Sequence, residues 1–205
     1  LAGGDTTQSP DGILADIVVL GSLPTGRALL RSGARPGDRV YVTGVLGGAA
    51  AETNFLYSRT RGKSSPPKRP GGVVPEPRLN IGKILRERQL ATAMIDISDG
   101  LSTDLSHICE ESGVGAEVRE QAIPRAKFRG REVDLHFALH GGDAYELLFT
   151  ANKQTRVPAG IDGVPLTDIG VVTRSKKMLI IDPAQTRRVL RPLGWEHFRQ
   201  RSSSK

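Results

Sequence analysis

Residues 93–101 read Ala-Met-Ile-Asp-Ile-Ser-Asp-Gly-Leu, and they restrict the fold more than any other stretch. Within 93–97 the side chains alternate with the two-residue period of a strand. From Leu101 the apolar positions Leu101, Leu105, Ile108 and Cys109 recur at helical spacing, and Gly113 stands where a glycine closes a helix. Ser98-Asp99-Gly100 is the turn between them. A strand that passes so directly into a helix belongs to a layered arrangement of sheet and helices, with glycine turns at the strand ends.

The same alternation extends along the chain. Residues 16–22 read as a β-branched strand ended by Pro24 and Gly26, and 25–32 as a short helix closed by Gly33. Pro36-Gly37-Asp38 turns into the half-buried strand 39–43, and Gly44, Gly47 and Gly48 open a helix that runs towards Leu56. Residues 58–77 contain Pro66, Pro67, Pro70, Pro75 and Pro77 with Gly62, Gly71 and Gly72, a composition that sustains neither helix nor interior strand, so a flexible loop is expected. A helix over 78–89, a helix around 133–139 and strands at 116–118, 145–150, 169–173 and 178–181 complete the pattern. The expected fold class is α/β, an α+β sandwich, with the main domain at 33–205 and a remnant of a preceding domain at 1–32.

Strand alternation puts Asp96 and Ser98 on the side of Met94, with Ile95 and Ile97 on the other. An ionised carboxylate in an apolar strand is costly unless it is solvated, paired or bound to a cation. Asp99 follows at the turn, so two carboxylates stand at one strand end, the ligand type that magnesium takes when phosphate oxygens and water complete its shell. The same residues also fit a structural role, with Asp99 as a helix N-cap and Asp96 at a partly exposed edge. Gly3-Gly4-Asp5-Thr6-Thr7 offers close backbone approach beside a carboxylate and two hydroxyls, for a metal-phosphate complex or for a turn into a strand. His140-Gly141-Gly142-Asp143 leads from a helix end into strand 145–150, as ordinary turn chemistry or as a ligand site. Trp195, the only tryptophan, either covers a core edge or stacks on a flat ring. There is no P-loop, no catalytic-loop pattern of protein kinases, no Gly-x-Ser-x-Gly elbow and no paired-histidine metal motif.

A net charge of +7 raises the question of nucleic acid. The charge is confined: residues 59–70 carry +5 and residues 186–205 another +5, which leaves the rest of the chain at −3. Aromatics are 4% of the chain and the cations gather in a loop and a tail, so no basic face interleaved with rings, and no nucleic-acid partner, is expected. The longest apolar runs, such as 17–20 and 178–181, are far shorter than the roughly 18 residues of a membrane span. Cys109 is the only cysteine, which excludes a disulfide within the chain and suits a cytoplasmic setting with the thiol in the core. The first residue is Leu1 and no signal-peptide pattern follows, so a truncated sequence is expected, not a targeted one.

Taken in order, Gly-Gly-Asp-Thr-Thr at 3–7, Arg-Ser-Gly-Ala-Arg-Pro-Gly-Asp at 31–38 and Val-Tyr-Val-Thr-Gly at 40–44 resemble the thiamine-monophosphate kinase family. So do Pro-Glu-Pro-Arg at 75–78, Ile-Asp-Ile-Ser-Asp-Gly-Leu at 95–101, Gly-Gly-Asp-Ala-Tyr-Glu-Leu at 141–147 and Gly-Trp-Glu-His-Phe at 194–198. The resemblance covers nearly the whole chain. Asp-Ile-Ser-Asp-Gly-Leu is its discriminating piece, because superfamily relatives such as aminoimidazole-ribonucleotide synthetase carry an Asp-x-Thr-x-Gly type of sequence there.

The resemblance implies an aminoimidazole-ribonucleotide-synthetase-like C-terminal domain, a homodimer for the full-length protein, and several Mg2+ ions. It implies transfer of the γ-phosphoryl group of ATP onto thiamine monophosphate to give thiamine diphosphate, a reaction that needs charge neutralisation and in-line positioning. Carried over by position, Gly4, Asp5, Arg31 and Ser98 contact ATP, while Asp5, Asp96 and Asp99 hold magnesium. Asp143 and Trp195 contact the substrate, and no general base is assigned. The family usually reads Gly-Gly-Glu-Asp-Tyr-Glu-Leu, so Asp143 is one methylene shorter and Ala144 lacks a carboxylate. The family's N-terminal aspartates are not in this sequence, and the fragment by itself is expected to be inactive. A related phosphotransferase with another acceptor, and a non-catalytic nucleotide-binding module, stay open as further readings.

Overall fold

A computed structural model describes residue 18 and residues 21–60 and 75–195. Gly4, Asp5 and residues 61–74 of the expected loop lie outside the described residues. In chain order the elements are β1 (Arg39–Thr43), α1 (Gly48–Thr60), α2 (Leu79–Glu87), β2 (Ala93–Ile97), α3 (Leu101–Ser112) and β3 (Gly115–Arg119). After a 3-10 turn (Glu120–Ala122) come β4 (Lys127–Phe128), β5 (Arg131–Glu132), α4 (Leu135–His140), β6 (Glu146–Ala151), β7 (Gly160–Ile161), β8 (Val164–Thr173), β9 (Met178–Ile181) and β10 (Arg187–Val189).

One sheet organises them in the order β10-β9-β3-β8-β1-β6-β2, with β7 paired to β8. Neighbours run antiparallel except β3 and β9. Strand alternation sorts the side chains into two cores. Val40, Val42, Ile95, Ile97, Val118, Leu148 and Ile169 meet Leu101, Leu105 and Ile108 of α3 and Ala138 and Leu139 of α4. Phe149, with the partly buried Tyr41, Met94 and Leu147, packs against Ile81 and Leu85 of α2. Tyr41 stacks on Phe149 with ring centroids 5.2 Å apart. Helices thus cover both faces, the sandwich expected from the sequence, and each fully buried Leu or Ile contributes about 1.5–3 kcal/mol.

Three local expectations are corrected. Residues 25–32 form no helix: Arg27 N donates to Pro24 O at 3.1 Å in a turn with Gly26 at φ +70, and Leu30 O accepts the N–H of Met94 at 2.9 Å while Leu29 packs against the second core, so the segment is held to β2 by backbone pairing. Helix α1 reaches Thr60, past the start of the loop expected from residue 58. Strand β8 begins at Val164, because Asp162 and Gly163, both at positive φ, turn β7 back into a hairpin. Of the strand expected at 16–22, only Val18, Gly21 and Ser22 are described, and none is in a strand.

Candidate functional site

Three stretches of backbone converge beyond the last residue of β2. Ile97 O accepts the N–H of Tyr145 at 2.8 Å, Ser98 O that of Asp143 at 2.9 Å, and Asp99 O that of Trp195 at 2.9 Å. Two glycines make the approach possible. A Cβ on Gly142 would lie 2.7 Å from Ser98 O, and one on Gly194 would lie 2.1 Å from Asp99 O.

The convergence walls a cavity of about 810 Å³. Four residues singled out in the sequence line it together: Ser98, Asp99, Asp143 and Trp195. Thr53, Asn54 and Tyr57 of α1 and Tyr145 complete the wall that matters chemically, and none of the described lining residues is a lysine or arginine. Tyr57, Tyr145 and Trp195 are 68%, 43% and 64% exposed, so three rings stand at the surface around one opening.

Asp96 is exposed on the side of Met94, as alternation requires, yet it lines a second cavity of about 430 Å³ with Met94, Arg78 and Leu147. Ser98 lies beyond the strand end, where the period of two no longer holds, so the common side expected for Asp96 and Ser98 is not realised in one cavity. Tyr145 lines both cavities. Its phenol is pushed above the usual range first by the charge of Asp143, then by burial and by its hydrogen bond to Asp143 at 3.4 Å, with Asp96 and Asp99 adding to the effect. Three carboxylates therefore act on one hydroxyl. Arg31 lines neither cavity; it pairs with Glu111 at 3.8 Å near the C-terminal end of α3, whose 12 residues span about 18 Å.

Several residues of the site were not found from the sequence. Asp104, 1% exposed, accepts the backbone N–H of Asp99 at 3.1 Å and of Gly100 at 3.0 Å. Burial pushes its carboxyl up to about 6 against the pull of those two bonds, with Asp99 raising it and His107 lowering it. The N-cap of α3 is Gly100, not Asp99. His140 shares a 2.8 Å hydrogen bond between Nδ1 and Ser102 Oγ, and burial, with help from His136, holds its ring below the usual histidine range. A signal for Asp104 was present: it falls on the apolar stripe of Leu101, Leu105 and Ile108, where a carboxylate needs a partner.

The divalent cation that the resemblance implies requires oxygen ligands gathered around one point. Asp99, Asp104 and His107 bring one ligand atom each within 4.8 Å of one another, although Asp104 already accepts two N–H bonds and imidazole is not a preferred magnesium ligand. Among the described residues Asp96, Asp99 and Asp143 form no such close cluster: Asp99 and Asp143 line one cavity and Asp96 the other, so only their carboxylate oxygens, the ligand type of a hard cation, fit the ion. Among the described residues no helix is long and apolar enough to cross a membrane.

Residues 35–182 match the family model described as AIR synthase related protein, C-terminal domain. Thiamine-monophosphate kinase from Salmonella typhimurium (strain LT2) is 42% identical over 181 residues, which cover 83% of this chain and 54% of that protein. The Escherichia coli (strain K12) Thiamine-monophosphate kinase is 38% identical over 209 residues, 97% of this chain and 63% of that protein. The chain thus spans 54% to 63% of the length of these curated relatives. A solved structure described as AaThiL complexed with AMPPCP and TMP is similar with a TM-score of 0.62 at 28% identity, covering 83% of this chain and 54% of that one. Because the family model matches well over half of its residues, the chain belongs to the AIR synthase related family, and its relatives include the thiamine-monophosphate kinases.

Proposed function

We propose that the cavity beside Ser98 and Asp99 is the acceptor side of an ATP-dependent kinase that converts thiamine monophosphate to thiamine diphosphate by direct in-line phosphoryl transfer. One observation carries this reading: three exposed aromatic rings and the carboxylates of Asp99 and Asp143 line one opening that no described lysine or arginine lines. Rings with carboxylates suit a flat, positively charged heterocycle, which thiamine monophosphate carries, and they disfavour a bare anion. The phosphate end of such a ligand would be repelled by Asp99 and Asp143 unless a divalent cation stood between them. A relative's structure described with AMPPCP and TMP supports the same pair of ligands.

In this reading Tyr57, Tyr145 and Trp195 orient the ring, and Asp143 faces it as the acidic substrate contact. Asp96 and Asp99, with Asp5, would hold magnesium, which when bound supplies charge neutralisation between two anionic reactants. Gly4, Asp5 and the Ser98 hydroxyl would contact ATP, and any contact of Arg31 with the nucleotide would be made outside this cavity. No residue is assigned as general base. Residues 33–205 form the domain, 1–32 continue a preceding one, and the full-length protein acts as a cytoplasmic homodimer.

Two measurements test this. Calorimetric titration of the chain with thiamine monophosphate should show binding that strengthens with Mg2+. A chimera in which this chain replaces the matching part of the Escherichia coli relative should form thiamine diphosphate from ATP. Absence of both binding and product overturns the proposal, and turnover only with a different phosphate acceptor would transfer it to another phosphotransferase.

A further inference from the structure

We propose that Arg78 is a positioning residue of this site: by gripping the buried Glu146 it holds the preceding loop so that Asp143 and Tyr145 line the cavity. Glu146, the first residue of β6, is 5% exposed. Arg78 grips it as a fork, Nε donating to Oε2 at 2.8 Å and an Nη donating to Oε1 at 2.7 Å. Thr43 Oγ1 donates to the same Oε2 at 2.5 Å and accepts the N–H of Leu147 at 2.8 Å, which locks β6 onto the end of β1. The carboxylate fills its niche closely: a Cβ on Gly44 would lie 2.1 Å from Oε1.

What this anchor holds is unusual backbone. Asp143 and Tyr145 stand at φ +61 and +50 without being glycines, a conformation that persists only where the surroundings enforce it. On one side the enforcement comes from Ser98 O and Ile97 O, which accept their N–H groups. On the other side it comes from Glu146, one bond along from Tyr145. A buried carboxylate that loses its guanidinium is drawn towards water, and any shift of Glu146 moves Tyr145 and its partner Asp143. Arg78 immediately precedes α2 and lines the second cavity, so it ties the helix on one face of the sheet to the opening on the other.

The test pairs Arg78→Met with Glu146→Gln, which removes both charges together and keeps an acceptor for Thr43; Arg78→Lys, which keeps the charge and loses the fork, is the milder companion should the pair fold poorly. Amide exchange followed by NMR should accelerate about tenfold or more at Asp143 and Tyr145 while Leu105 and Ile108 in α3 stay as in the wild type. Unchanged exchange at the two loop amides, or equal acceleration in α3, overturns the proposal, because the pair would then be idle or a general support. A second arm rests on the kinase reading: Mg2+-dependent affinity for thiamine monophosphate should fall about tenfold, an effect carried by placement of the loop. If the wild-type chain binds no thiamine monophosphate, the kinase reading falls and the exchange data alone decide the role of Arg78.

Discussion

Asp104 receives the backbone N–H of Asp99 at 3.1 Å, so the turn that presents Asp99 is held from inside α3 by a carboxylate 1% exposed. Its pKa of about 6 lies above the ordinary 3.8, chiefly through burial, and the sign follows. The folded chain binds this proton more tightly than the unfolded one, so the contribution is complete below about pH 4 and is lost as pH rises through about 6. The two-unit difference amounts to about 3 kcal/mol. Asp104→Asn, which keeps an acceptor for both N–H groups, should remove that dependence. Urea unfolding at pH 4, 6 and 8 in EDTA should show the wild type losing stability relative to the variant, and parallel curves would refute it.

Cys109 illustrates burial acting on a different group. The thiol is 5% exposed, and desolvation, with a smaller push from Glu110, raises it to about 12. The nucleophile is the thiolate, which is scarce at pH 8 in the folded chain. Labelling by a disulfide reagent at pH 8 should be at least about a hundredfold slower than in 6 M guanidinium. Fast labelling of the native chain would show that α3 opens readily.

The outcome follows from how far each interaction reaches along the chain. Strands β1, β2 and β9 and helix α3 were read at their observed bounds, because a local period and a local glycine define them, and Gly113 takes the expected left-handed conformation at φ +67. The expected helix at 25–32 failed because the carbonyl of Leu30 takes the N–H of Met94 in β2, a distant partner that no local pattern shows. That β6 would insert between β1 and β2, pairing Leu148 with both Val42 and Ile95, is not written in any local pattern. The site divides the same way. Ser98 and Asp99 were legible at a strand end, and Asp143 and Trp195 join them across the fold. Only the resemblance offers a role for the last two, because turn glycines and a lone tryptophan are ambiguous alone. Arg78 and Glu146 stand 68 residues apart, and their pairing is visible only in three dimensions.

Two glycines should respond oppositely to an added methyl group. At Gly142 the Cβ would meet the Ser98 carbonyl at 2.7 Å, and backbone cannot step aside without moving the site. Gly142→Ala should cost about 1–3 kcal/mol and abolish thiamine monophosphate binding. Gly82, inside α2, has Met94 Cε at 3.6 Å and Leu147 Cδ1 at 3.7 Å from the same position, ordinary contact distances. Gly82→Ala should therefore stabilise by about 0.5–1 kcal/mol. Urea midpoints of the two variants, falling on opposite sides of the wild type, check both; a neutral Gly142→Ala would mean that the loop does not press on the turn that follows β2.

Trp195 separates ligand binding from folding. Its backbone N–H, which reaches Asp99 O at 2.9 Å, survives any substitution of the ring, and the residue is 64% exposed, so the ring contributes little to the core. Trp195→Ala should leave the unfolding free energy within about 0.5 kcal/mol of the wild type. If the ring lies against a cationic heterocycle, its loss should weaken thiamine monophosphate binding about tenfold, in the range of a partly desolvated cation–π contact. Trp195→Phe, which keeps a smaller π-face, should recover part of that loss, whereas Trp195→Leu, apolar but without a face, should not. Titration calorimetry on the three variants distinguishes a face from mere apolar cover: equal binding by the Leu and Phe variants would remove the Trp195 ring from the site and leave Tyr57, Tyr145, Asp99 and Asp143 as its remaining recognition elements.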